Sequence, residues 1–336
     1  MSAPATLRVG LDLDGSLESL GNSMTDLADA LAAQSDCELV RFRTLGRARP
    51  GEARLAARAW WAPGWRRGVG RAIDTMLPRV DVIHVAGVAT PPTRSTPLII
   101  SVDDLRPLRG ESRDHQRVVQ LRRALERGAI LVASSRTASH EVLSVLDAPR
   151  ARVVVVPPAV PIVAPTVNGR DLVVNVTGTV DRFVALAPEL VSVAKRHGAG
   201  VVAILSTEAR QRVRASGVEV TTRHRAEARG ALENARVVVH LSDGARFPSF
   251  AVAALAAGVP TIARSTEINR ELLDGAAALV DYDHEWPSTL EDAWSNDARR
   301  ALMAAAGADR ARDFAPVTAA RAYAALYHDV VRGWPT

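Results

Sequence analysis

A single cysteine, Cys37, serves the whole chain of 336 residues. It can build neither a disulfide framework nor a cysteine metal site. A reducing, cytoplasmic location is therefore expected. Lysine is as scarce: Lys195 is the only one, and every other basic residue is arginine. No stretch approaches the roughly 18 uninterrupted apolar residues of a spanning helix. The opening "MSAPATLRVGLDLDG" lacks the charged-then-apolar layout of a signal peptide. Neither G-x-G-x-x-G nor a P-loop is present. No nucleic-acid motif accompanies the basic residues, so nucleic acid is not an expected partner. No Ser-His-Asp order or Cys-His pair suggests a nucleophile. The adjacent Asp103 and Asp104 lack a third ligand, so no metal is expected.

What is there is an alternation. Short apolar runs, "LRVGLDLD", "CELVRFR", "VDVIHVAG", "PLIISVDDL", "AILVASS" and "RARVVVVPPAV", are separated by amphipathic or charged helical segments. Such alternation marks a parallel sheet covered on both faces. "VPPAVPIVAPTVNGRD" breaks the pattern with prolines and no periodicity, as a linker does. The alternation then resumes with "LVVNVTG", "GVVAILS", "GVEVTT", "ARVVVHLS", "TIARS" and "AALVDY". The length also exceeds one ordinary domain. The expected fold class is α/β, with two Rossmann-like doubly wound domains facing across a cleft. They cover residues 1–160 and 161–315, and a last helix over 316–336 can pack against either domain, including back on the N-terminal one.

In open parallel sheets, ligands bind beyond the carboxyl ends of the strands. That rule nominates the loop carrying Gly15, Gly21 and Asn22, then His84, Asp103 and Asp104. In the second half it nominates Gly178, Thr179 and Arg182, then Ser242, Asp243, Arg246, Phe247 and Ser249, and Glu271. "TGTVDR" reads either as a phosphate-binding helix start or as an ordinary β–α turn. The loop "DGARFPS" mixes acid, base and aromatic, while the helix behind it, "FAVAALAAG", has no acid at all. Net charge is +5, and much of the excess lies between Arg41 and Arg71. That segment reads either as a solvated face with Trp60, Trp61 and Trp65 partly buried, or as a surface for a membrane or a lipid-linked phosphate.

The order of these segments resembles the family-4 type of nucleotide-sugar-dependent glycosyltransferase, of the two-Rossmann architecture called GT-B. The resemblance spans nearly the whole chain. It runs through "DVIHVAG", "PLIISVDDLRPL" and "LVASSRTASHEVLSVLDAPRARVVVVPPAV" to "ENARVVVHLSDGARFPSFAVAALAAGVPTIARSTEINRELLDGAAALVDYDH". "AALAAGVPTIAR" and "ELLDGAAALVDYD" follow the family's pattern most closely. The resemblance implies transfer of a sugar from a nucleotide-sugar donor, a substrate rather than a cofactor. The acceptor would be a carbohydrate, a lipid-linked molecule or a small molecule. Retention of configuration and independence of metal are implied with it.

His84, Asp104, Gly178, Phe247, Gly258, Pro260 and Glu271 match the family's frame. Its chemistry matches less. The two glutamates that contact donor sugar and ribose fall on Ala245 and Ala253. The histidine near the donor sugar falls on Asp103, and the basic pair on the diphosphate falls near Thr179 and Val184. A carboxylate on ribose hydroxyls contributes roughly 1.5–3 kcal/mol per charge-assisted bond, and alanine none. Arg182, Arg246 and Asp243 are the nearest replacements. Two expectations follow. In the first the chain is an active glycosyltransferase, with Asp103, Asp104 and His84 at the reacting centre. In the second it is an inactive GT-B scaffold, the partner subunit of an active glycosyltransferase. A peripheral position at the inner face of the membrane is expected if the acceptor is lipid-linked.

Overall fold

A computed structural model of the chain describes residues 6–14, 17–18, 21–34, 36–56, 58–87, 89–102, 104–109, 114–161, 163 and 169–333. Asp103 and Gly15 lie outside the described residues. The chain divides into two compact units. The first comprises Asn22–Ala159 with Met1–Leu17 and Pro316–Thr336; the second is built on Val160–Ala315.

The first unit holds β1 (Leu7–Asp12), β4 (Cys37–Phe42), β5 (Val82–Ala86), β6 (Leu98–Val102), β7 (Ile130–Ala133) and β8 (Val153–Val155). A separate two-residue ribbon joins β2 (Leu17–Glu18) to β3 (Gly21–Asn22). The main sheet runs β4-β1-β5-β6-β7-β8, parallel throughout. Strands β5, β6 and β7 are buried at every position. Burial on both faces is why they read as unbroken apolar runs rather than as alternating ones. Helices α1 (Ser23–Ala32), α2 (Arg58–Trp65), α3 (His115–Glu126) and α4 (Arg136–Leu146) connect them. α3 starts on the Asp114 carboxylate and α4 on the Ser135 hydroxyl, each accepting from amides of the first turn.

The second unit holds β9 (Asp171–Thr177), β10 (Val201–Leu205), β11 (Thr221–His224), β12 (Ala235–Ser242), β13 (Thr261–Arg264) and β14 (Ala278–Val280). Their order, β11-β10-β9-β12-β13-β14, is again all parallel. Sequence order therefore reverses between β9 and β12, the switch point at which such sheets open a crevice. β11 begins four residues after the start of the apolar stretch "GVEVTT", because Gly217, in the left-handed region at φ +73°, ends the preceding helix there.

The helices of this unit are α5 (Val180–Arg196), α6 (Thr207–Ala215), α7 (Ala228–Glu233), α8 (Ser249–Ala256), α9 (Glu267–Leu273), α10 (Trp286–Ser295) and α11 (Asp297–Ala311). α8 answers why "FAVAALAAG" carries no acid: Phe250 through Leu255 are all buried. A helix apolar on every side is a core helix. α11 crosses it closely, and a Cβ at Gly307 would come 2.9 Å from Leu255 Cδ2.

The final helix, α12 (Pro316–Gly333), belongs to the first unit. Its Ala320, Tyr323 and Tyr327 pack into the cluster of Val9, Leu11, Leu27 and Ile99. Among the described residues no helix is long and apolar enough to cross a membrane.

Candidate functional site

The carboxyl ends of β9 and β12 lie side by side in register, with Thr177 opposite Ser242. The chain leaves β9 through Gly178, whose φ of +75° suits glycine. A Cβ there would also overlap the Asp243 carboxylate. Across the switch point, Ser242 Oγ accepts from Gly244 N at 3.0 Å and Asp243 Oδ1 from Ala245 N at 3.0 Å. These two short turns fold the loop over the strand ends. Thr179 precedes α5 but its side chain does not cap it, and its buried Oγ1 has no hydrogen-bond partner. The first-turn amides of this 17-residue helix therefore lack a side-chain acceptor from the cap.

Beside this loop is a small pocket within the second unit. Its floor is Asn175, Thr177 and His240; its rim carries Arg225, Arg246 and Ser249. Ser242, Phe247 and Phe250 complete the walls. Of the nominated residues, Gly178, Thr179, Ser242, Asp243, Arg246 and Ser249 are thus brought together around one switch point. Phe247 lines the same pocket and is also tied to the core. Its ring is buried and packs edge-on against Phe314, 5.4 Å between centroids, so it is first a core residue. Arg182 is engaged elsewhere, in an ion pair with Asp283. Glu271 sits in α9, where its carbonyl accepts from Arg310 Nη2 at 3.0 Å. Ala245 and Ala253 are buried, Ala253 with no exposed surface and packed in the apolar cluster around α8.

His84 is a correction. It was expected at the reacting centre, yet its ring has no exposed surface. Nδ1 lies 2.7 Å from Tyr327 Oη and Nε2 2.8 Å from Ser101 Oγ. Tyr323 adds a ring contact at 5.0 Å and a hydroxyl 3.3 Å from Ser101 Oγ. Burial pushes the imidazole down to about 3, so it is neutral and structural. Asp104 pairs bidentately with Arg106, the closest approach being 2.7 Å. Gly21 and Asn22 form β3.

Two groups escaped the sequence reading. One is Asn175, Arg225 and His240, which come from three separate strand ends. The other is the end of β1. There the buried Asp12 accepts from Thr44 Oγ1 at 2.7 Å, and Asp14 accepts from Gly46 N at 2.8 Å. Arg43 ties Asp14 to Glu52, with Nε–Oε2 at 3.0 Å. Burial first, and the Asp14 charge second, push Asp12 up to about 7. The repeat in "LDLDG" was the available signal.

The Arg41 to Arg71 segment divides its tryptophans. Trp65 is fully buried, with Nε1 donating to Arg71 O at 3.0 Å, whereas Trp60 is 84% exposed. Trp61 is partly buried as expected, whereas Trp60 and Trp65 are not, which corrects the expectation for those two. Arg66, Arg67 and Arg71 are exposed beside them, and Arg123 and Arg127 reach in from α3 to the carbonyls of Arg67 and Gly68.

No protein-family model matches the chain, and no curated protein matches it. Solved structures do. HepE of Anabaena, in complex with UDP and glucose, is 14% identical with a TM-score of 0.66, covering 96% of this chain and 100% of that one. WaaG, a glycosyltransferase of lipopolysaccharide biosynthesis, is 13% identical with a TM-score of 0.65, over 97% and 99%. Sucrose-phosphate synthase of Thermosynechococcus elongatus is 16% identical with a TM-score of 0.66, again over 97% and 99%. With its two six-stranded parallel sheets, the chain has the GT-B fold of these glycosyltransferases.

Proposed function

We propose that the chain is a glycosyltransferase that moves a sugar from a nucleotide-sugar donor to an acceptor bound by the first unit. The observation that carries this reading is the switch point of the second unit: an uncapped helix start at Gly178 and Thr179 beside a pocket rimmed by Arg225 and Arg246. Helix-terminal amides favour the donor's diphosphate. Arg246 adds a forked cation where negative charge gathers on the leaving group. Ser242 and Ser249 supply hydroxyls for the nucleoside, and Asp243 holds the loop. HepE, of the same fold, is in complex with UDP and glucose, which makes UDP the first nucleotide to test and a UDP-sugar the first donor. Asp103 and Asp104 are assigned to the reacting centre, and the Gly15, Gly21 and Asn22 loop to the acceptor or the diphosphate. Retention of configuration and independence of metal belong to the resemblance. A lipid-linked acceptor would explain the exposed Trp60 among arginines.

Calorimetric titration of the purified chain with UDP, GDP, ADP and dTDP tests the reading. One nucleotide should bind saturably, and Arg246→Ala should weaken it about tenfold or more, the loss of one charge-assisted contact. If none binds to a folded sample, the reading is wrong. The second reading, an inactive scaffold, is favoured by Ala253. A carboxylate cannot sit in that apolar cluster without a large desolvation cost, so the ribose acid has no place here. Turnover of a nucleotide-sugar by the isolated chain would eliminate it.

A further inference from the structure

His240 is the third residue from the end of β12, 3% exposed, and lines the pocket together with Arg225 and Arg246. Its Nδ1 lies 3.1 Å from Asn175 Oδ1. An amide oxygen can only accept, and Thr177 Oγ1 donates to the same atom at 3.4 Å. The proton of the neutral ring is therefore on Nδ1, and Nε2 carries a lone pair. Burial pushes the imidazole down to about 4, so the neutral form holds throughout the physiological range. Nε2 is buried and has no hydrogen-bond partner within the chain. A buried acceptor left unmade costs free energy, and native structures seldom leave one without a purpose.

The rest of the pocket sets what this acceptor meets. Arg225 and Arg246 only donate, and no carboxylate lines the pocket. Asn175 Oδ1 already accepts from His240 and Thr177. A nucleoside brings both kinds of group: carbonyls and phosphates that accept, and ribose hydroxyls or a base N–H that donate. Resting on the function proposed above, we infer that His240 Nε2, held in its tautomer by Asn175, is the acceptor for a donating group of the bound nucleoside, reached through a bridging water, since the pocket offers only about 10 Å³. A neutral imidazole thereby selects the nucleotide while the arginines hold its anionic side. His240 is a binding residue and Asn175 positions it.

The test is calorimetry on the full chain with UDP, GDP, ADP and dTDP, then with analogues of the tightest binder. The 2′-deoxy and 3′-deoxy forms remove one ribose donor each, and an N-methylated base blocks the base donor. Wild-type protein should bind one of these analogues roughly three- to tenfold more weakly than the parent, the scale of one neutral hydrogen bond. His240→Phe should bind the parent more weakly by a similar factor and no longer discriminate against that analogue. His240→Gln, which keeps an acceptor, should restore part of the preference. The analogue that loses discrimination names the source, ribose or base. If wild type and His240→Phe rank parent and analogues alike, the inference is wrong while the glycosyltransferase reading stands. If wild type binds no nucleotide, both fall. Thermal unfolding of His240→Phe should match or exceed wild type, since it removes an unmet acceptor; if the variant does not fold, the Gln variant carries the comparison.

Discussion

Asp12 is a residue whose chemistry departs far from its free state without any ligand. Its carboxyl is fully buried at the end of β1 and is pushed up to about 7, well above the usual carboxylate range. The cause is desolvation first and the neighbouring Asp14 second. Because the folded value is raised, the folded chain holds a proton that the unfolded chain releases above pH 4. Its contribution to stability is thus fully present below about pH 4 and is lost as pH rises toward 7. The slope approaches about 1.4 kcal/mol per pH unit between those limits. Asp12→Asn keeps the acceptor for Thr44 and Asp14 amides but cannot titrate. Denaturant unfolding of both proteins from pH 4.5 to 7.5 should show the wild type losing stability relative to the variant as pH rises. Parallel curves would mean that Asp12 stays ionised in the fold.

Among the described elements, α2 presents the most exposed tryptophan. Trp65 anchors it in the core, while Trp60 stands 84% exposed and Val69, just beyond, 38% exposed. Arg66, Arg67 and Arg71 flank them, with Arg123 and Arg127 brought alongside by α3. An amphipathic aromatic among cations suits the headgroup layer of an anionic bilayer. Sedimentation with phosphatidylserine vesicles should bring the chain down at low salt. Neutralising Arg66, Arg67 and Arg71 together should abolish this, at about 1 kcal/mol per charge; equal sedimentation of both proteins would exclude membrane contact through α2. This element was also the least legible in sequence, because Pro63 interrupts its helical pattern. The sheet strands were the most legible, since burial on both faces writes itself as runs such as "VIHVA" and "LIISV". The site was legible as a frame only. Gly178 and the "DGARFPS" loop follow from strand-end position, whereas His84 was misread because its partner Tyr327 lies 243 residues away. His240 looked like one more position in the apolar strand "ARVVVHLS", and nothing local shows that Asn175 faces it.

At the scale of the molecule, continuity of chain and continuity of core do not coincide. The second unit is built on Val160–Ala315, and its two apolar clusters lie wholly within that range. The first unit needs both ends of the chain, because α12 returns to it after residue 315. From α12 come the buried Ala319, Tyr323, Leu326, Tyr327 and Val330, and the hydroxyl that satisfies His84. Each large apolar side chain contributes roughly 1.5–3 kcal/mol on burial. Together they approach the 5–15 kcal/mol that holds an ordinary domain folded. Removing residues 316–336 should therefore unfold the first unit and spare the second. Hydrogen exchange followed by mass spectrometry reads the two separately, as no single transition would. Peptides from β5, β6 and β7 should lose protection in the truncated chain, while those from β9, β12 and α8 keep theirs. If β5 to β7 stay protected, the first unit folds without its last helix. If β9 and β12 exchange as well, the second unit depends on the first despite having its own core.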